Sequence, residues 1–245
     1  MSRFRAFLVH LLISVLVVGS FLAVTFFIWY PEPYFEADGA YHVVAVLAGV
    51  DVVLGPLLTL IVFKSGKPRL KLDLGIIAAI QLSAFLYGAG TIFTERPAYV
   101  VFVLDKFNTV PASKVDRDKI HDSDLEFRLF SSPKLVYTKF PHDYSAVMKI
   151  VNDVFNGGKL ILYRSDLYTP IAKGSDRILR AAKPFSRLTD KEDIRKQLET
   201  RASRFYKGDP ESLKYLPLVG KNKVMTMLLD PKTGAPVGFL DVKPG

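Results

Sequence analysis

Asp51 is a carboxylate near the middle of an otherwise apolar stretch, residues 41–63. An acid at that depth is costly in hydrocarbon, and such residues usually face the interior of a helix bundle. Three roles are open to it: a hydrogen-bond anchor between helices, a contact with a partner's membrane helix, or a step in a proton or ion path. No second intramembrane charge lies at its level, so the first two roles are favoured.

The depths of nearby hydroxyl groups indicate which of them are candidates to pair with this acid. Counted from the basic-flanked end of each apolar stretch, Asp51 lies at about 18 Å, for a rise of about 1.5 Å per residue. Ser20, Ser83 and Tyr87 fall at about 21, 14 and 20 Å by the same count. We therefore expect these hydroxyls to hydrogen-bond the acid.

The remaining polar residues and a proline complete the candidate site. His10 and Thr59 both fall at a depth of about 6 Å, where we expect them to pair, and Gln81 lies between the two layers. Pro56 predicts a kink one turn from Asp51 that frees a carbonyl near the acid. The candidate contact residues for helix packing or for a partner are Asp51, Gly55, Pro56, Tyr87, Gln81 and His10.

Three apolar stretches position these residues: 6–30, 41–63 and 74–93. Each has about the 20 residues that a membrane-spanning helix needs. Arg3 and Arg5 precede the first stretch, but its apolar core is too long for a signal peptide, so we interpret it as an uncleaved anchor. The sequence therefore predicts a three-helix transmembrane module over residues 1–94.

The charges of the short loops predict the orientation of this module. The loop 31–40 has three acidic residues and no Lys or Arg, whereas the loop 64–73 has four basic residues. The positive-inside rule places the N-terminus and the second loop in the cytoplasm. Residues 95–245 then follow the third span to the outside, which in a bacterium is the periplasmic side of the inner membrane.

Composition bounds the chemistry of the chain. It has 245 residues, of which 49% are hydrophobic, and it has no cysteine, which excludes disulfides, iron–sulfur clusters and a cysteine nucleophile. Residues 95–245 carry 27 Lys and Arg against 19 Asp and Glu. This basic excess suits contact with anionic lipid. No aromatic platform accompanies it, so nucleic acid is not expected as a partner.

The pattern after residue 95 predicts an α+β domain with an antiparallel sheet. The predicted strands are 98–104, 134–140 and 160–163, and the predicted helices are 143–155, 175–182 and 189–205, the last opened by a capping box of Thr189 and Glu192. Residues 223–229 and 237–242 flank a turn and predict a terminal β-hairpin.

We find no catalytic constellation in this domain, and we expect no enzyme activity, no cofactor and no metal site. His121 lies beside Asp122 and Asp124, which is more typical of a solvated turn than of a metal site. One basic stretch is either a solvated face or a contact surface for anionic lipid or an acidic partner: Arg177, Arg180, Lys183 and Arg187.

Several motifs carry a family resemblance over roughly residues 1–107. They are Phe4-x-Ala-Phe-Leu-x-His-Leu, Phe27-Ile-Trp-Tyr-Pro31, Gly49-Val-Asp-Val-Val-Leu-Gly-Pro-Leu-Leu-Thr59, Lys71-Leu-Asp-Leu-Gly75, Gln81-Leu, Tyr87-Gly, Arg96-Pro-Ala-Tyr-Val-Val-Phe102 and Asp105-Lys-Phe. The chain resembles the type IV pilin accessory proteins of the TfpX/TfpZ kind, also labelled fimbrial assembly protein FimB. No catalytic residues are established for that family.

The resemblance implies a bacterial inner-membrane protein that supports the assembly, stability or dynamics of a type IV pilus. Its partners would be the pilin, the pilus machinery and membrane lipid, and self-association stays open. The alternative is a membrane-anchored periplasmic sensor that binds a ligand. The inner side offers only a short N-terminal segment and a ten-residue loop for signal output, which disfavours a sensor.

Overall fold

The computed structural model describes residues 2–141 and 143–244, so His142, for which the sequence suggests only a capping or surface role, lies outside them. The chain forms two compact units. The first contains the three long helices. The second contains Pro97 and everything after it, together with a short insert, Glu36–Gly39, that comes from between the first two helices.

The first unit consists of three helices that are long and apolar enough to cross a membrane: α1 (Arg3–Trp29), α2 (Tyr41–Val62) and α3 (Leu70–Glu95). A one-turn helix, Tyr34–Ala37, follows α1. The α2 helix packs against both α1 and α3. At one end of the unit, aromatic side chains join α1 to α3 directly, because Phe21 contacts Phe85 and Trp29 contacts Phe93.

The second unit is built on an eight-stranded sheet that curls into a half-barrel. Its strands are β1 (Pro97–Val103), β2 (Lys106–Pro111), β3 (Lys134–Thr138), β4 (Tyr168–Pro170), β5 (Lys183–Pro184), β6 (Lys214–Val219), β7 (Val224–Leu229) and β8 (Pro236–Leu240). The strand order is β4-β3-β1-β2-β6-β7-β8, with β5 paired to β6 outside this path.

The sheet is mixed, so the expectation of an antiparallel sheet was wrong. β1 pairs with β3 in parallel, and so does β2 with β6, while the other pairs are antiparallel. The reason lies in the connections. A parallel neighbour needs a long crossover. Residues 104–133 separate β1 from β3, and residues 112–213 separate β2 from β6.

In its described residues the second unit also has three α-helices after β3: α4 (Tyr144–Phe155), α5 (Ser175–Ala181) and α6 (Glu192–Ala202). Much of the remaining chain forms short 3-10 turns: Ala112–Lys114, Arg117–Lys119, Ser123–Leu125, Ile161–Tyr163, Ser165–Leu167, Ile171–Gly174, Phe185–Leu188 and Pro210–Ser212. The predicted strand 160–163 was therefore wrong, because that segment is one of these turns. A run of four apolar residues, Leu160 to Tyr163, was not enough to form a strand there.

Local signals around the helices and the last hairpin had mixed success. Asp143 caps α4 as an acceptor from the Ala146 amide, and the hairpin of β7 and β8 is present. The capping box was wrong, because α6 begins at Glu192 and the Thr189 hydroxyl accepts instead from the nearby Lys191 amide at 3.2 Å.

The insert Glu36–Gly39 is bound by the turn between β6 and β7. The Asp38 carboxylate accepts from the Thr109 hydroxyl at 2.5 Å and from the Lys221 amide at 3.0 Å. The buried Ala37 carbonyl accepts from the amides of Asn222 at 2.8 Å and Lys223 at 3.0 Å. A loop that the sequence presents only as an acidic orientation signal is thus an integral piece of the second unit.

Candidate functional site

Asp51 lies in a locally widened turn of α2. Residues Gly49–Leu54 are π-helical, and the Gly55 amide donates to the Val50 carbonyl, five residues back. In that pattern the Asp51 carbonyl would accept from residue 56, which is a proline without an N–H. The Asp51 carbonyl is therefore released from the helix, which agrees with the carbonyl that the Pro56 kink was expected to free.

Gln81 of α3 binds the released carbonyl. Its side-chain Nε2 donates to the Asp51 carbonyl at 3.1 Å. Gly55 makes this approach feasible, because a Cβ there would lie 1.8 Å from Gln81 Nε2. One set of contacts therefore joins α2 to α3, and it involves Gly55, Pro56, Asp51 and Gln81.

The hydrogen bonding of the Asp51 carboxylate itself is incomplete. Asp51 is 5% exposed and Gln81 is 8% exposed. Within residues 2–141 and 143–244, Asp51 Oδ2 and Gln81 Oε1 are buried acceptors without a hydrogen-bond partner. Most buried polar atoms in proteins have a partner. Two such acceptors in neighbouring residues are therefore an unusual feature of this part of the unit.

Both residues line a groove of about 170 Å³ between α1 and α3, which we call the Asp51 groove. Its lining is His10, Ile13, Ser14, Val17, Val18, Asp51, Ala78, Gln81, Leu82 and Phe85. Phe85, which is one of the lining residues, also contacts Phe21 of α1. The groove is therefore an apolar slot with four polar residues along it.

The hydroxyls expected to pair with Asp51 do not do so, and this part of the prediction was wrong. Ser20 and Ser83 donate to carbonyls of their own helices four residues back, at 2.7 and 2.8 Å. This local bond is a usual alternative for a helical serine. Tyr87 is 81% exposed and lies on a face of α3 away from the acid.

The expected pair of His10 and Thr59 is present, with His10 Nδ1 at 2.6 Å from Thr59 Oγ1. His10 also lines the Asp51 groove, so the pair joins α1 to α2 beside it. Gln81 was placed between two layers by depth, yet it is the residue that reaches Asp51. The signal that could have found it is angular, since Ile77, Gln81, Gly88 and Ile92 share the buried face of α3.

In the second unit, the four basic residues Arg177, Arg180, Lys183 and Arg187 are all exposed on or near α5 and β5. The Tyr215 hydroxyl donates to the Arg187 carbonyl at 3.4 Å. Burial raises the pKa of this phenol, and the Arg187 charge opposes the shift. The role of these residues as a contact surface stays a prediction.

Comparison with known proteins gives one consistent family. A family model described as fimbrial assembly protein FimB matches residues 1–39. Two proteins of Dichelobacter nodosus named fimbrial assembly protein, serogroup E1 and serogroup I, are 31% and 30% identical to the chain. Each alignment covers 90% of this chain and 88% of the relative.

A third relative from the same organism, fimbrial assembly protein of serogroups C1 and C2, is 38% identical over 115 residues. That alignment covers 46% of this chain and 87% of the relative. No solved structure gives a significant match.

Proposed function

Because this chain belongs to the family of fimbrial assembly proteins, we propose that it is a non-enzymatic accessory factor of the bacterial inner membrane that supports type IV pilus assembly by binding the pilin or the pilus machinery. The observation that carries the proposal is the similarity to relatives of that name along 90% of the chain. A pilin-binding role suits a protein with both a helical membrane part and an external domain.

The membrane topology in this proposal draws support from two independent features. The first is the charge pattern of the loops, with four basic residues in 64–73 and none in 31–40. The second is the insert Glu36–Gly39, which belongs to the same unit as Pro97 and its successors. That membership supports a topology in which the loop after α1 and the domain after α3 lie on the same side of the membrane, as three spans would give.

The non-enzymatic part of the proposal follows from where the unusual chemistry lies. Asp51 Oδ2 and Gln81 Oε1, two of the buried atoms without a hydrogen-bond partner, are in the helical unit, where polar groups commonly serve contacts between helices. Across residues 2–141 and 143–244, no three His, Asp or Glu side chains are grouped to hold a metal. A binding role therefore needs fewer assumptions than a catalytic one.

Deletion of the gene tests the function. We expect fewer surface pili and reduced twitching, restored by the wild-type gene, with the cellular pilin level measured in parallel to separate assembly from pilin stability. The matched control is complementation with Ile80→Ala, a substitution at a 62% exposed position outside the Asp51 groove. Normal piliation and normal twitching in the deletion strain would refute the proposal.

A further inference from the structure

The polar residues of the first unit converge on one open face. His10 and Ser14 come from α1, Asp51 from α2 and Gln81 from α3, and all four line the Asp51 groove. Polar residues in membrane helices face a bundle interior or a protein partner rather than lipid. An open groove that collects them is therefore an interior surface whose covering element is missing from this chain's own helices.

The unmet groups of the groove are acceptors. Asp51 Oδ2 and Gln81 Oε1 belong to residues that line it, and both atoms are buried without a hydrogen-bond partner in the described part of the chain. An acyl chain of a lipid carries no donor and would leave both atoms unsatisfied. A ligand that satisfies both acceptors must therefore carry a hydrogen-bond donor on an otherwise apolar segment.

The size of the groove limits what is delivered. A cavity of about 150 Å³ holds a molecule the size of benzene, so a groove of about 170 Å³ takes one or two side chains. A helix packed over the groove would insert such side chains as knobs between α1 and α3. The apolar lining, which includes Ile13, Val17 and Leu82, suits apolar neighbours on either side of the donor.

We propose that the Asp51 groove seats a membrane-spanning helix of the pilus component that this protein serves, and that this helix carries a hydroxyl, amide or ammonium donor which binds Asp51. The identity of the partner as a pilus component rests on the proposed function. The donor and the apolar helix that bears it follow from the groove. Asp51 is thus the specificity residue, and Gln81 and Gly55 hold it in place.

The test is a photo-crosslinker placed in the full-length chain in its native membrane, at Leu82 in the groove or at Ile80 as the control. Both positions belong to α3 and are similarly exposed, at 59% and 62%, but only Leu82 lines the groove. We expect Leu82 to crosslink to a membrane-spanning segment within one helical turn of a donor side chain, identified by mass spectrometry. Ile80 should give at least tenfold less of this product.

Substitutions of the acid then test the donor. Asp51→Leu removes the acceptors and should lower the Leu82 crosslink at least tenfold, whereas Asp51→Asn keeps an acceptor oxygen and should retain it. Because Asp51→Leu could fail to fold, Leu82→Trp gives a second route. It fills the groove, and it should abolish crosslinking from a probe at Val17, whereas Ile80→Trp should not.

Four outcomes would overturn the proposal: crosslinks that are equal from Leu82 and Ile80, a crosslink to Leu82 that survives Asp51→Leu, capture of lipid alone, or capture only of a second copy of this chain. The proposed function and the proposed helix-binding groove can be refuted independently of each other. Normal pili in the deletion strain refute the proposed function even if Leu82 captures a donor-bearing helix.

Discussion

In the second unit β1 buries all seven of its residues, whereas the most apolar windows of α1, α2 and α3 bury only 17%, 33% and 22% of theirs. The same apolar residue types therefore have opposite surroundings in the two units. In a sheet domain, burial of apolar surface stabilises the fold. In the helical unit most apolar side chains point outward, where an apolar solvent would surround them.

The contrast extends to polar groups. In the second unit, the Asp38 carboxylate and the Ala37 carbonyl each accept two hydrogen bonds. In the first unit, Asp51 and Gln81 hold acceptors that the described residues leave unmet. We proposed that the groove beside Asp51 and Gln81 in the first unit binds another molecule, and the following experiments test how the two units differ.

The largest effect is expected from truncation of a core side chain in the second unit. Phe102 is 1% exposed, and Phe102→Ala should lower the free energy of unfolding of that unit by about 3–5 kcal/mol. Leu86 of α3 is 61% exposed, and Leu86→Ala should change the stability by about 0.5 kcal/mol or less. Urea unfolding of the purified full chain, followed by proteolysis of each unit, measures both. Equal losses would remove the contrast.

A close backbone approach within the second unit should have the next largest effect. A Cβ on Gly220 would lie 2.2 Å from the Ala37 carbonyl oxygen, which is backbone and has no rotamer to move. Gly220→Ala should destabilise the second unit by about 1–3 kcal/mol. The urea midpoint measures this loss. Lys221→Ala, which keeps the amide that binds Asp38, is the control, and a Gly220→Ala protein no weaker than it would contradict the prediction.

Gly55→Ala should have a smaller effect, confined to the first unit. The new Cβ would displace the flexible Gln81 side chain from the Asp51 carbonyl, and an interhelical hydrogen bond in a membrane contributes about 0.6–2 kcal/mol. Gly90→Ala is the control, because nothing lies within 4 Å of its Cβ position.

The absence of cysteine allows this effect to be read by labelling a single Ser14→Cys in the groove. Maleimide should react faster in the Gly55→Ala background, because loss of the Gln81 contact loosens α2 from α3. The Gly90→Ala background should react at the unaltered rate. Identical rates in the two backgrounds would show that Gly55 does not position Gln81.

The smallest effect concerns the acid stability of the second unit. Arg164 binds Asp166 through two hydrogen bonds, of 2.9 and 2.8 Å, which hold the pKa of that carboxyl below its usual value. A carboxyl with a lowered pKa in the folded state contributes stability above its unfolded pKa of about 3.9 and loses it as the pH falls through the folded value. The pair is partly exposed, so the contribution is at most about 1 kcal/mol.

Asp166→Asn should therefore lower the urea midpoint of the second unit slightly at pH 7 and flatten its decline below pH 4. Asp118→Asn, on an exposed carboxyl in the 3-10 turn Arg117–Lys119, serves as the control. A decline with the same slope in the Asp166→Asn and wild-type proteins would assign the acid sensitivity to other carboxyls.

Hydropathy predicted the three long helices because a long continuous apolar run is compatible with few structures other than a membrane-spanning helix. It also singled out Asp51 as an acid within such a run. Depth counting then misassigned the partners of Asp51. Rise along a helix gives height, whereas contact depends on the angle around the axis, which places Gln81 toward α2 and Tyr87 away from it. The π-helical turn next to Pro56 alters that angle further and has no simple sequence signature.

In the second unit the local signals succeeded where neighbours in sequence are neighbours in space, as in the hairpin of β7 and β8. They identified β3 as a strand, but they did not predict the parallel pairing of β3 or of β6, whose partners lie far away along the chain. The hydrogen bond between Asp38 and the Lys221 amide could not be predicted from the sequence pattern either. Neither the type of these residues nor their spacing along the chain indicates that they meet.

The insert Glu36–Gly39 also imposes a delay on folding, because it is synthesised long before the turn that binds it. Asp38 precedes its partner Lys221 by 183 residues. At a synthesis rate of about 5–20 residues per second, the insert waits roughly 10–40 s before the turn that binds it exists. During that interval β2 also lacks β6, so its edge is open to chaperones, proteases and other chains. If the ribosome stalls before residue 219, the edge of β2 stays unpaired, and chaperones and proteases have more time to bind it.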